Sequence, residues 1–146
     1  MFDKCLVPMY MLYCMKGEIR GRTRFQKLVF LTKEKLKEEN QDIDIQFTKL
    51  YYGPFSRDLT DSLKMQSKEG TVVEVLEESP CGGQIFIYKL TPSGKSFVEG
   101  AVQKGLIAKE VRRKIKTVAK DFGGEPLDEL ISFVYKEYPE YDPHKQ

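Results

Sequence analysis

Few side chains in this 146-residue sequence have the types and spacing needed for chemistry on a substrate. The tripeptide Gly94-Lys95-Ser96 matches the end of a phosphate-binding loop, but the upstream glycine of that motif is missing. His144, near the end of the chain, is the only histidine, so a serine or cysteine elsewhere has no histidine base beside it in sequence. The carboxylates of Asp58 and Asp61 fall on a predicted exposed helix, where solvation explains them. The sequence therefore predicts a protein that is not an enzyme.

Metal and cofactor binding are not indicated either. The three cysteines, Cys5, Cys14 and Cys81, are widely spaced, and no Cys-x-x-Cys pair exists. A structural zinc site needs three or four closely paired cysteines and histidines. An odd number of distant cysteines also fits no disulfide framework. We expect buried free thiols, no metal and no cofactor.

The composition is that of a globular domain. The chain is 40% hydrophobic and 32% charged, with a net charge of +2. The apolar stretch at 6–15 is too short to span a bilayer and lacks the basic region and cleavage site of a signal peptide. We therefore expect a cytoplasmic protein that does not enter a membrane.

The elements that must position any functional side chain follow from periodicity and capping residues. The first helix is predicted at about 3–16, with a later start at or just before Pro8 as the alternative, and the second follows a capping box that begins at Thr23. Further helices are predicted at 56–69, after Thr91-Pro92, at 106–121 and from about Pro126. Strands are predicted at 43–47, 71–76 and 84–90, the last two forming a β-hairpin.

This order predicts a mainly helical α+β domain built as a winged helix-turn-helix. Residues 1–90 would form the winged-helix core, with the β-hairpin as the wing, and 91–146 a C-terminal helical extension of one domain, 1–146. The alternative is a generic α+β domain with a hairpin packed at one end.

The densest aromatic cluster is Tyr51-Tyr52-Gly53-Pro54-Phe55. One interpretation is a platform for stacking or for binding a peptide. The other is a turn whose aromatic side chains pin the third helix to the core, with Gly53 meeting a backbone requirement and Pro54 fixing the entry angle. The pattern favours the turn.

Three motifs resemble a known family. They are Phe25-Gln26-Lys27-Leu28-Val29-Phe30-Leu31, then Tyr51-Tyr52-Gly53-Pro54-Phe55-Ser56, then Leu90-Thr91-Pro92-Ser93-Gly94. Together with the closing segment 133–141 they are similar to the YwgA-like bacterial and archaeal proteins, which resemble the wider Panacea group of antitoxin-associated domains. The resemblance implies a winged-helix-like α+β fold without known catalysis, acting by binding a partner. The chain lacks the long insertions and the C-terminal segment typical of Panacea proteins.

Positive charge is concentrated in two places. The outer face of the helix predicted at 106–121 is basic, and its residues are Lys109, Arg112, Arg113, Lys116 and Lys120. A second cluster contains Arg20, Arg22, Arg24 and Lys27. Either could contact phosphates or an acidic protein. The alternative is plain solvation, or pairing with the acidic final helix.

The parts of a winged helix that normally contact DNA are not basic here. The helix at 56–69 has as many acids as bases, and the wing tip carries Glu77 and Glu78 but no Lys or Arg. We therefore expect a regulatory or interaction module that binds a protein partner or a second copy of itself, with an antitoxin-like or adaptor role. The alternative is a nucleic-acid-binding regulator that uses the helix at 106–121.

Overall fold

The computed structural model describes residues 2–144 and has an α+β architecture, as the sequence predicts. Its helices are α1 (Asp3–Cys14), α2 (Arg22–Lys37), α3 (Arg57–Glu69), α4 (Pro92–Gln103), α5 (Lys109–Phe122) and α6 (Leu127–Glu137). A 3₁₀ turn at Pro139–Tyr141 follows α6. Its strands are β1 (Glu18–Arg20), β2 (Thr48–Leu50), β3 (Gly53–Phe55), β4 (Val72–Glu78) and β5 (Gln84–Leu90). No helix in this part of the chain is both long and apolar enough to cross a membrane.

The strands form two small antiparallel sheets. The larger has the order β1-β5-β4, and its β4–β5 hairpin confirms the predicted pairing of the segments near 71–76 and 84–90. Strand β1 was predicted as loop, yet Ile19 pairs with Tyr88 and places β1 at the edge of this sheet. The smaller sheet is the hairpin β2–β3.

Helix α2 lies at the centre of the core. Every residue from Phe25 to Lys33 is buried, so this part of α2 is surrounded by the rest of the protein on all sides. The ring of Phe30 makes edge contacts with Phe47, Tyr138 and Tyr141 at centroid distances of 5.3, 5.2 and 4.8 Å. These contacts attach both the segment before β2 and the segment after α6 to α2.

The predicted strand at 43–47 is wrong. Residues 41–47 form an irregular segment that buries Ile43 and Ile45 without pairing to another strand. It also covers Lys33, whose ammonium donates to the Ile43 oxygen at 2.9 Å and lies 3.1 Å from Asp42. The alternation of apolar residues shows which side chains enter the core, but a strand also needs a neighbouring strand to accept its hydrogen bonds.

The caps of two helices are confirmed. The Ser56 side chain accepts a hydrogen bond from the amide of Leu59 at the start of α3, and Gly70 ends α3 in a left-handed conformation. Thr91 caps α4, with Pro92 as its first residue. Each cap depends on neighbours within three residues, so local sequence is sufficient to find it.

Two predicted helix starts are wrong. Helix α2 begins at Arg22 rather than after a Thr23 capping box, and no side chain caps it. Helix α1 begins at Asp3, which confirms the predicted bound near residue 3; the alternative start at Pro8 is wrong, because Pro8 lies inside the helix. Pro8 has no amide hydrogen for the carbonyl of Lys4, but Lys4 is exposed to solvent, where water can supply the missing donor.

Candidate functional site

A cleft of about 420 Å³ lies where α2, α3, the β2–β3 hairpin and the β4–β5 sheet meet. A cavity of this size is typical of ligand sites, which span roughly 300–1,000 Å³. Most of its wall is apolar or aromatic, with a small set of polar groups. Its lining includes Arg22, Thr23, Phe25, Gln26, Lys27, Leu50, Tyr51, Tyr52, Gly53, Pro54, Phe55, Leu59, Thr60, Leu63, Lys64, Glu74 and Tyr88.

The rim of the cleft is formed by the β2–β3 hairpin, residues 48–55, which we call the tyrosine hairpin. Its turn exposes Tyr51 by 86% and Tyr52 by 72%, and Leu50 beside them by 44%. These two tyrosines project to the surface, so they do not pin α3 to the core as the sequence suggested. Gly53 and Pro54 are buried instead, in the strand that returns to the protein.

Gly53 holds the tyrosine hairpin close to α6. Its φ of +98° lies in the region that favours glycine, and a Cβ atom there would lie 2.7 Å from Cε1 of Tyr135. Strand β3 could not approach Tyr135 this closely with any other residue. The prediction that the backbone requires glycine at position 53 is therefore confirmed, although Gly53 lies in strand β3 rather than in a turn.

The side chain of Gln26 joins α2 to the start of α3. Its amide oxygen accepts from the Ser56 amide at 2.7 Å, and its amide nitrogen donates to the Ser56 oxygen at 3.1 Å and to the Thr60 hydroxyl at 3.2 Å. Gln26 is 8% exposed and Ser56 is fully buried. This reciprocal pair fixes the two helical walls of the cleft relative to each other.

Lys27 contacts the tyrosine hairpin from the buried side. Its side chain is 1% exposed, and its ammonium donates to the backbone oxygen of Tyr52 and lies 5.9 Å from the ring centroid of Tyr135. Among residues 2–144, no carboxylate lies within 4.0 Å of this ammonium. Burial therefore lowers the pKa of Lys27 to about 8. The structure thus brings together two motifs that the sequence separates by 25 residues.

Arg22 forms the opposite wall of the cleft, against the larger sheet. Its guanidinium lies 3.5 Å above the ring centroid of Phe86. Its Nε atom donates to the Tyr88 hydroxyl at 3.2 Å, and Nη2 lies 3.6 Å from a carboxylate oxygen of Glu74. Burial raises the pKa of Tyr88, so the phenol stays protonated. The sequence alone offered no signal for Phe86, Tyr88 or Glu74, because they depend on the sheet register.

The other arginines of the predicted basic cluster are bound within the protein. Arg20 lies 3.5 Å from Glu18 and 3.3 Å from Glu77. Arg24 donates to the backbone oxygens of Gly123 and Glu125 at 3.2 and 2.7 Å, after the end of α5, and burial lowers its pKa. All three arginines therefore have partners of their own, which leaves less positive charge available for an external ligand.

The cations of helix α5 fall into two groups, those with a partner inside the protein and those exposed to solvent. The ammonium of Lys114 pairs with Glu39, and Arg112 Nε donates to the Ile107 oxygen at 3.2 Å. The remaining cations have no carboxylate of residues 2–144 within 4.0 Å, and all are exposed. We call this second group the cation row; its members are Lys109, Arg113, Lys116 and Lys120. No ion pair joins α5 to the acidic helix α6 in the part of the chain that the structure describes.

The side chains that could bind a metal or act as nucleophiles lie apart from one another. Within residues 2–144, no three histidine, cysteine or acidic side chains are placed to hold a metal ion. Cys5 and Cys14 are half-buried free thiols, whereas Cys81 is exposed at the tip of the β4–β5 hairpin, against the prediction of burial. His144 is exposed in the C-terminal segment, away from the residues that line the cleft.

Comparison with known proteins gives no further assignment. The chain matches no protein-family model, and no curated protein sequence is significantly similar to it.

Proposed function

We propose that this protein is a non-enzymatic interaction module that binds a segment of a partner protein in the cleft beside the tyrosine hairpin. The observation that carries the proposal is the exposure of Tyr51 and Tyr52 at the rim of an apolar cleft. Tyrosine is one of the residues that dominate binding energy at protein interfaces, because it buries a large ring while its hydroxyl stays hydrogen-bonded.

The lining of the cleft defines the chemistry of that segment. Its wall carries three cations, Arg22, Lys27 and Lys64, against one acid, Glu74. Arg22 already pairs with Glu74, so the surplus charge belongs to the two lysines. A segment that fits would insert an apolar side chain and place a neighbouring carboxylate near Lys64, which is exposed.

We also propose that the scaffold is a winged helix. Supporting this, α2 and α3 are followed by the β4–β5 hairpin, and β1 pairs with that hairpin. The resemblance to YwgA-like and Panacea proteins points to the same fold and to an antitoxin-like or adaptor role. In this proposal the winged helix positions the cleft and does not read DNA, since α3 and the β4–β5 tip carry no excess of positive charge.

Selection from a randomised peptide display library tests the proposed cleft without knowledge of the natural partner. Peptides selected on the wild-type protein are expected to contain an apolar residue beside Asp or Glu. The double variant Tyr51→Ala/Tyr52→Ala should bind them at least about 30-fold more weakly, the loss expected for one interface residue worth about 2 kcal/mol.

The control is a double variant that removes two exposed apolar side chains from another surface. Phe97→Ala/Leu106→Ala fits, because these side chains on and after α4 are 49% and 41% exposed and do not line the cleft. It should bind the selected peptides like the wild type. Equal binding by the tyrosine variant would exclude the tyrosine hairpin as the interface.

Sedimentation of the wild type as a dimer, and of the tyrosine variant as a monomer, would identify the partner as a second copy.

A further inference from the structure

We propose that the cation row of α5 is a second binding surface, which contacts the phosphate backbone of a nucleic acid. This surface is distinct from the cleft, since none of its four residues lines that cavity. The proposal goes beyond partner binding and does not depend on it.

The geometry of the row is that of a continuous stripe. With 3.6 residues per turn, Lys109, Arg113, Lys116 and Lys120 fall within an arc of about 60° on α5. The arc faces away from Val111, Ile115 and Val118, which are the buried residues of the helix. The acids of α5, Glu110 and Asp121, fall at least about 60° outside the arc.

The spacing of the row suits a chain of phosphates. Along the axis of α5 the successive cations rise by about 6, 4.5 and 6 Å, a total of about 16.5 Å. One strand of duplex DNA carries a phosphate about every 3.4 Å of helix axis, but the strand winds around that axis, so its phosphates are further apart along the backbone and the row spans about three to four of them. Each cation therefore has a phosphate within reach when α5 lies along the backbone.

The surroundings of the row favour a nucleic acid over an acidic protein. A protein interface needs apolar or aromatic anchors. No exposed large hydrophobic side chain of residues 2–144 lies on α5 itself; Leu106 precedes the helix, and Tyr13, beside Lys116 and Lys120, is half-buried. A backbone contact needs only positive charge, and binds without reading the sequence. The expected ligand is thus a nucleic acid of any sequence.

The structure also changes which residues a test should replace. Arg112 and Lys114 are held by Ile107 and Glu39, so they are poor probes although they lie on the same helix. Replacing Arg113 and Lys116 by glutamine removes half of the cation row. A matched control is Arg57→Gln/Lys68→Gln on α3, which removes the same charge, at two exposed positions outside the cleft, from the helix that would read DNA in an ordinary winged helix.

Fluorescence anisotropy with labelled duplex DNA, duplex RNA and single strands measures the binding over a series of salt concentrations. With four phosphates neutralised, the logarithm of the duplex binding constant should fall with the logarithm of salt at a slope of about −3.6. That slope means about 150-fold weaker binding at 200 mM than at 50 mM salt. Arg113→Gln/Lys116→Gln should halve the slope, and the α3 control should leave it unchanged.

Three results would overturn the proposal. One is absence of binding to all of these nucleic acids at low salt. Another is an equal or larger loss in the α3 control, which would assign the effect to net charge or to α3. The third is equally tight binding of poly-glutamate, which would make the row a surface for acidic proteins.

Discussion

Replacing Lys27 by methionine is expected to stabilise the protein at neutral pH, and to do so less as the pH rises. Lys27 is 1% exposed, and no carboxylate of residues 2–144 lies within 4.0 Å of its ammonium. Burial lowers its pKa from 10.5 to about 8, so at pH 7 the folded protein holds an uncompensated buried charge. Methionine fills similar space without that charge.

The magnitude follows from the coupling between protonation and folding. Between pH 8 and 10.5 the unfolded chain keeps the lysine proton while the folded chain has released it, so wild-type stability rises with pH through this window and is lowest below it. The buried charge costs the wild type about 3 kcal/mol at pH 7 and about half of that at pH 9.5. Methionine also loses the hydrogen bond to Tyr52, worth about 1 kcal/mol at both pH values.

We therefore expect Lys27→Met to raise the free energy of unfolding by about 2 kcal/mol at pH 7 and by less than about 1 kcal/mol at pH 9.5. Urea unfolding followed by circular dichroism, at both pH values and for both proteins, measures this difference. Other groups that titrate in this range are present in both proteins, so their effects cancel.

The neighbouring buried lysine provides a matched control. Lys33→Met makes the same replacement, but Lys33 pairs with Asp42 and donates to the Ile43 oxygen. Its loss should lower the free energy of unfolding by about 1–3 kcal/mol. If Lys27→Met were also destabilising, and equally so at pH 7 and 9.5, then the argument for an uncompensated buried charge would be refuted.

Two further variants test how the helices around the cleft are joined. Gln26→Ala should lower the free energy of unfolding by about 1–3 kcal/mol, because it leaves the buried amide of Ser56 without a partner, whereas the Ser56 oxygen keeps its bonds from Thr60; a change below about 0.5 kcal/mol in urea unfolding would contradict this. Arg24→Met should cost about 1–3 kcal/mol and speed amide exchange at the end of α5, where Arg24 binds two backbone oxygens. Arg57→Met, at an exposed position, should leave both measurements unchanged.

The features that the sequence predicted well depend on residues close together in the chain. The Ser56 cap, the helix end at Gly70 and the Thr91-Pro92 helix start each involve a few adjacent residues. The β4–β5 hairpin was also predictable, because two β-branched segments flank a turn-rich sequence. The strand at 43–47 failed because burial alternates there for another reason: the segment covers α2 and has no neighbouring strand.

The sequence by itself determined which residue types were available: an aromatic turn, a Gln-Lys pair on one helix and seven cations in a short basic stretch. Only the tertiary structure decided how they are used. It placed Lys27 beneath the Tyr52 backbone and bound Arg22 to the sheet. It also left the cation row with no carboxylate of residues 2–144 within 4.0 Å, while joining Lys114 to Glu39, 75 residues away. The physical reason is that ion pairs and hydrogen bonds act over only a few ångströms, and the fold alone sets which distant residues come that close.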